Sequence, residues 1–265
     1  MVVYCADCGE ELSRETVTIP MTSHTGGTAT CLEKAICEIC GHPYGELAPH
    51  TPGTEYGADE TNHWRTCSIC GIKIDNTIGA HDFDGAQNCS VCNVTNFDYF
   101  TLTKLDDGSY AIGLNYAHDL PVGAITLPSS FRGAPITKIS NGGFAGLYAI
   151  MLGKEWTITE IHISEGITTI ADMAFTGTAD TAIYIPESVT LIDYQAFANM
   201  TGSVIFADLV GWSVQECEIH AGPDTGGNIV IPIGEHIPLQ DLSAENAFTY
   251  ISNTYANYRW TKQTD

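Results

Sequence analysis

Four Cys-x-x-Cys pairs stand in the first third of the chain: Cys5/Cys8, Cys37/Cys40, Cys67/Cys70 and Cys89/Cys92. Two residues between thiols suit a tight turn that aims both sulfurs at one ion, and four copies make this region a metal-clipped array rather than a conventional core. The segment around them is rich in Gly, Thr and Pro and poor in long apolar runs. Too little apolar surface is available to fold it unaided, so it needs staples.

The histidines and remaining cysteines suggest how the ligands group. Cys31, Cys37, Cys40 and His50 form one set of four, and His63, Cys67, Cys70 and His81 the next. In each, a lone ligand precedes a Cys-x-x-Cys, and a His follows after nine or ten residues. Cys5, Cys8 and His24 fit more loosely as the last three ligands of another unit, whose first would lie before Met1. On that reading the chain is a fragment of a longer array. His42 is left to the surface, and Cys89/Cys92 lack two partners. An alternative joins Cys67/Cys70 to Cys89/Cys92 as a four-Cys ribbon with 18 residues between the pairs. Closed N/S sets of four suit structural Zn²⁺ in either scheme. A disulfide framework is the competing reading of ten cysteines, but it leaves the interleaved histidines unexplained. A thioredoxin-like redox pair would need a strand-to-helix context that none of the four shows.

Net charge is −22 with only ten Lys and Arg in 265 residues. Phosphate contacts need clustered positive charge, so nucleic acid and anionic membrane are poor partners. No apolar run reaches the roughly 18 residues that would span a bilayer. Met1 leads directly into Val2, Val3, Tyr4 and Cys5, so no signal peptide is expected within this sequence.

Beyond residue 97 the pattern changes. Residues 99–115 read as a hairpin turned at Asp107-Gly108. Ile161-His-Ile163 through Ile170, Ala174 and Phe175 then repeats as Ile183-Tyr-Ile185 through Ile192, Ala196 and Phe197, offset by 22 residues. An earlier copy runs from Ile125 through Leu127, Ile136 and Ile139 to Phe144, with an insertion around 146–157. Val204 to Phe206 is a last half-copy. This period falls within the leucine-rich-repeat range, and such units bury their apolar rungs only by stacking. The fixed step from Ile139, Ile170 and Ile192 to Phe144, Phe175 and Phe197 places the aromatic rings in the core.

From 207 onward the chain reads as a cap for the last repeat. It comprises turn-rich Gly222–Gly227, a strand at Ile229–Ile233 with an edge proline, a helix from Asp241 or Ser243 to about Thr254, and a strand at Tyr258–Trp260. Cys217 reads as a small buried residue. His118, His162, His220 and His236 have no ligand spacing, and no catalytic motif is present. The fold class expected is therefore mainly β: small zinc-ribbon-like modules over 1–94, a short repeat solenoid with its leading hairpin over 95–206, and a capping segment over 207–265.

Ile183-Tyr-Ile-Pro-Glu-Ser-Val-Thr-Leu-Ile-Asp-Tyr-Gln-Ala-Phe197 resembles the BspA-like leucine-rich repeat, and Gly123 to Ile139 resembles its usual first repeat. Tyr4 to Thr16 and His63 to Gly71 are similar to zinc-ribbon-like repeats found beside such modules. The resemblance implies a bacterial cell-surface or secreted protein that adheres to a host or microbial protein or glycan. An alternative is a targeting or spacer part of a larger surface hydrolase. The outward strand positions His162 and Tyr184 are the expected points of contact. No catalytic residue is expected.

Overall fold

The computed structural model describes residues 2–14, 23–83, 87–221 and 228–263. The turn expected at Gly222–Gly227 lies outside them. The chain divides into two compact units, Met1–Ala80 and His81–Asp265. Cys89/Cys92, the repeats and the C-terminal segment thus share one unit.

The first unit is built of short antiparallel pairs. Strand β1 (Val2–Tyr4) pairs with β2 (Glu11–Arg14). Strand β3 (Ala35–Ile36) pairs with β4 (Pro43–Tyr44). Strand β5 (Pro52–Ala58) pairs with β6 (Asn62–Cys67), which also takes β7 (Gly79–Ala80). Among its described residues, the buried apolar ones are Cys31, Ala35, Cys37 and Cys67. Isolated two-stranded ribbons with so little between them are marginal in water, which makes its cysteines and histidines candidate staples.

In the second unit, β8 (Phe100–Lys104) and β9 (Tyr110–Leu114) form the expected hairpin, with Gly108 at φ 87° in its turn. The repeats then contribute to two parallel ladders. One runs through β10 (Gly123–Thr126), β13 (Ile158–His162), β15 (Thr181–Ile185) and β17 (Gly202–Phe206). The other joins β9 to β12 (Ala134–Ile139), β14 (Thr169–Ile170) and β16 (Leu191–Ile192), with β11 (Ser130–Phe131) beside β12. Equivalent residues stand in register: Ile125, Ile161, Ile183 and Val204 on the first ladder, and Ile139, Ile170 and Ile192 on the second. All are buried. The insertion forms a short helix, α1 (Gly146–Met151).

The three phenylalanines behave as the repeat predicts. Phe144, Phe175 and Phe197 are fully buried and stack with ring centroids 5.6 and 5.1 Å apart. Two residues before each, Gly142, Met173 and Gln195 take positive φ of 60°, 56° and 54°. The position two before the Phe is therefore left-handed in each copy, and only the first copy meets it with glycine.

The C-terminal residues extend the second ladder. Strand β18 (Trp212–Ala221) pairs with β19 (Asn228–Pro238) and with β20 (Tyr258–Lys262), and β20 pairs antiparallel with β16. Strand β19 lies at the sheet edge and carries Pro232 and Pro238, which cannot donate to a further strand. Trp212 and Trp260, both buried, pack with Phe206 beside the last rung. Helix α2 (Ala247–Thr249) continues as a π-turn over Tyr250–Thr254. It starts later than Asp241 or Ser243 because the Asn246 side chain accepts from the Ser243 N–H and donates to the Asp241 carbonyl, closing a turn first. Cys217 is half-buried in β18, and burial raises its thiol pKa. No helix among the described residues is long and apolar enough to cross a membrane.

Candidate metal centres

All four Cys-x-x-Cys pairs adopt one local turn. The N–H of the fourth residue after the first Cys donates to that Cys carbonyl: Gly9 to Cys5, Gly41 to Cys37, Gly71 to Cys67 and Asn93 to Cys89. The N–H of the first Cys donates onward to the fifth residue: Cys5 to Glu10, Cys37 to His42, Cys67 to Ile72 and Cys89 to Val94. Closing the turn this tightly requires a left-handed residue after the second Cys. Gly9, Gly41, Gly71 and Asn93 supply it with φ of 76°, 72°, 72° and 59°.

A second repeated bond brings a histidine to three of these knuckles. The residue after the first Cys donates its N–H to the carbonyl of the residue after a histidine: Glu38 to Thr25, Ser68 to Thr51 and Ser90 to Asp82, at 3.1, 3.0 and 2.8 Å. The histidines so placed turn Nδ1 to the second Cys of the knuckle. His24 lies 3.4 Å from Cys40 Sγ, His50 3.3 Å from Cys70 Sγ, and His81 3.4 Å from Cys92 Sγ.

The grouping read from the sequence is therefore corrected. Cys67 and Cys70 gather with Cys31 and His50, not with His63 and His81. Cys37 and Cys40 gather with His24, not with Cys31 and His50. Cys89 and Cys92 gather with His81, not with Cys67 and Cys70 as a ribbon. Cys5 and Cys8 form the same turn without His24, and no other Cys or His among the described residues joins them. The physical reason is strand pairing. Antiparallel β5 and β6 set Pro52 opposite Cys67, which carries His50 to the following knuckle. Ala48 donates to the Thr30 carbonyl at 2.9 Å, which carries Cys31 there as well. His63 sits buried in β6 with its ring edge-on to Tyr56 and pairs with Gly79, two residues before His81. In chain order it stands 18 residues before His81, as Cys31 stands 19 before His50. His42 points Nδ1 to the Cys40 carbonyl at 3.0 Å and joins no set.

The Cys31, His50, Cys67 and Cys70 ligand atoms all lie within 4.8 Å of one another. Cys31 and Cys67 Sγ are 3.7 Å apart. A tetrahedron with Zn–S of about 2.3 Å and Zn–N of about 2.0 Å has S–S edges near 3.8 Å and S–N edges near 3.5 Å. The observed separations match both edges, and they are far too long for a disulfide. No disulfide joins any of the ten cysteines.

The thiols respond to these surroundings. Bonds from the Thr25 and Cys40 backbone, with His24 assisting, draw Cys37 down to about 6. Bonds from the Cys70 and Ile69 backbone, set against burial, draw Cys67 down to about 5. At Cys89 burial pushes upward, but the Cys92 and Val91 backbone bonds prevail and bring it to about 5. Cys31 goes the other way, to about 11, because it is buried and faces Cys70 and Cys67. Crowded sulfur of this kind is what a divalent cation would neutralise.

No family model matches the chain, and no curated protein matches it. Among solved structures, the chain is similar to a leucine-rich-repeat protein of T. pallidum at 20% identity and a TM-score of 0.31. The match covers 42% of this chain and 52% of the other, so it spans about half of that protein. A likeness this weak carries no weight for function, which has to be read from the ladders and ligand sets themselves.

Proposed function

We propose that this is a non-enzymatic binding protein of a bacterial surface or secretion, adhering to a protein or glycan through a BspA-like leucine-rich-repeat solenoid. Its zinc-ribbon-like front is held by structural zinc. The carrying observation is an in-register outward row on the first ladder: Thr126, His162, Tyr184 and Ile205. Alternate residues of a strand point outward, and stacked repeats bring equivalent ones side by side into an extended surface. The His162 and Tyr184 rings stack at 4.2 Å and 5°, so they present edges rather than faces to a partner. Glu160 bonds His162 Nε2 at 3.0 Å, and both side chains remain about 40% exposed (43% and 41%). Imidazole, phenol and carboxylate edges suit hydroxyls and peptide groups. The formal charge of −22 is set against nucleic acid.

The zinc reading rests on the tetrahedral edges at Cys31, His50, Cys67 and Cys70. Ligands this far apart in sequence come together only in the folded chain, so metal binding and folding would be linked. Elemental analysis of protein purified without added metal should find zinc at one or more ions per chain. For adhesion, the test is binding to immobilised mucin, matrix proteins and glycans by the protein and by a His162→Ala/Tyr184→Ala variant. Binding that the double substitution abolishes, with the circular dichroism unchanged, supports the reading. Binding to none of these classes would overturn it.

A further inference from the structure

A cleft of about 500 Å³ lies within the second unit, between the Cys89/Cys92 knuckle and the first repeat. Small-molecule sites occupy about 300–1,000 Å³. The knuckle side lines it with Asn88, Asn93 and Thr95, and the repeat side with Thr126, Ser129 and Ser130.

Gln87 ties the two walls together. Its amide accepts from the Thr126 N–H at 2.7 Å and donates to the Thr126 carbonyl, and the residue is only 9% exposed. The Gln87 carbonyl accepts from the Asn96 N–H at 2.7 Å, immediately before Phe97. Phe97 adds an aromatic wall, half-buried and packed on Phe131 with ring centroids 4.9 Å apart. The shape of the cleft is thus set by bonds and contacts already made.

None of the side chains lining it is charged, in a chain with 32 Asp and Glu. A wall without cations, in the field of a molecule of charge −22, discriminates against anions. A wall without carboxylates offers a cation no counter-charge. Amide and hydroxyl side chains both donate and accept, which suits a ligand dense in hydroxyl groups, and the Phe97 ring suits the C–H face of a sugar. Thr126 is also the first member of the outward row that continues through His162, Tyr184 and Ile205. Neighbouring strands stand about 4.8 Å apart, close to the advance per sugar along an extended oligosaccharide. A chain seated in the cleft therefore meets one residue of the row with each sugar that follows.

We infer that the cleft is the anchoring subsite for a neutral linear glycan, whose following sugars lie along Thr126, His162 and Tyr184. This rests on the adhesion reading and narrows it to one ligand class.

The test is affinity electrophoresis of the full chain through gels containing mannan, xylan, galactan or β-glucan, with polygalacturonate and hyaluronan as anionic counterparts. At least one neutral polysaccharide should retard the protein, and neither anionic one should. Ser129 is exposed in the cleft wall, so Ser129→Glu should weaken that retardation at least tenfold with the circular dichroism unchanged. Val210→Glu, which adds the same charge at a 76% exposed position outside the cleft, should leave it as in wild type. Retardation by the anionic polysaccharides alone, by none of the six, or equally in wild type and Ser129→Glu overturns this inference. The adhesion reading survives those results if mucin or matrix protein is bound through His162 and Tyr184, and falls with the inference if nothing is bound.

Discussion

Phe175→Ala removes the middle ring of the stacked column. Both neighbouring rings, Phe144 and Phe197, are fully buried, with centroids at 5.6 and 5.1 Å from the Phe175 ring. A Phe→Ala change in a core costs about 3–5 kcal/mol, depending on how far the surroundings collapse. Here the rungs above and below are tied by backbone bonds, Phe144 N–H to the Ala174 carbonyl and Phe175 N–H to the Ala196 carbonyl, both at 2.7 Å. Collapse is therefore restricted. The loss also includes two ring pairs worth about 0.5–1.5 kcal/mol each beyond their area. The expected cost is about 4 kcal/mol, a large part of a domain stability of about 5–15 kcal/mol. Phe175→Leu, which keeps most of the volume, should cost about half as much or less. Urea unfolding followed by tryptophan fluorescence and far-ultraviolet circular dichroism reads both changes, with a lower midpoint and an unchanged slope. An Ala variant within about 1 kcal/mol of the parent would show that the column is not a packed core.

Gly142→Ala forces a Cβ onto a residue at φ 60° and within 2.6 Å of the Tyr148 ring; thermal unfolding should report a loss of about 1–2 kcal/mol. Gln87 exchanges both amide bonds with the backbone of Thr126 on β10. Gln87→Ala should therefore cost about 1–2 kcal/mol and speed amide exchange at Thr126, and unchanged exchange there would contradict it. Asp172 is half-buried with its Oδ1 unpaired, near Asp193, Arg259 and Lys138. Burial first, and Asp193 second, raise its pKa in the folded state. The folded protein thus holds this proton more tightly than the unfolded chain. The group costs stability as pH rises from the ordinary carboxylate range through the raised value. Asp172→Asn should accordingly stabilise the protein at pH 7 and leave it unchanged at pH 3; an equal effect at both would refute the role of charge.

The repeats were legible because their signal is local and self-repeating. Ile161/Ile183 and Phe175/Phe197 announce period and burial together, and stacking leaves each unit one place to go. The knuckles were legible for the same reason, since Cys-x-x-Cys followed by Gly or Asn encodes its own turn. Ligand grouping was not. Reading Cys31 with Cys37 and Cys40 assumes that near neighbours share an ion, whereas the pairing of Pro52 with Cys67 sends Cys31 and His50 forward to the next knuckle. That register depends on β5 and β6, whose sequences carry little alternation. The signal that could have revealed it is the spacing of 19 from Cys31 to His50 and 18 from His63 to His81. The delayed start of α2 was hidden similarly, because it depends on which backbone groups the Asn246 amide reaches.

Cysteine footprinting on Cys31→Ser tests the ligand grouping most directly. Alkylation of the native protein, read site by site by mass spectrometry, should show Cys67 and Cys70 becoming reactive while Cys37 and Cys40 keep their wild-type rates. Deprotection of Cys37 and Cys40 with Cys67 and Cys70 unchanged would contradict the account and return Cys31 to its sequence neighbours.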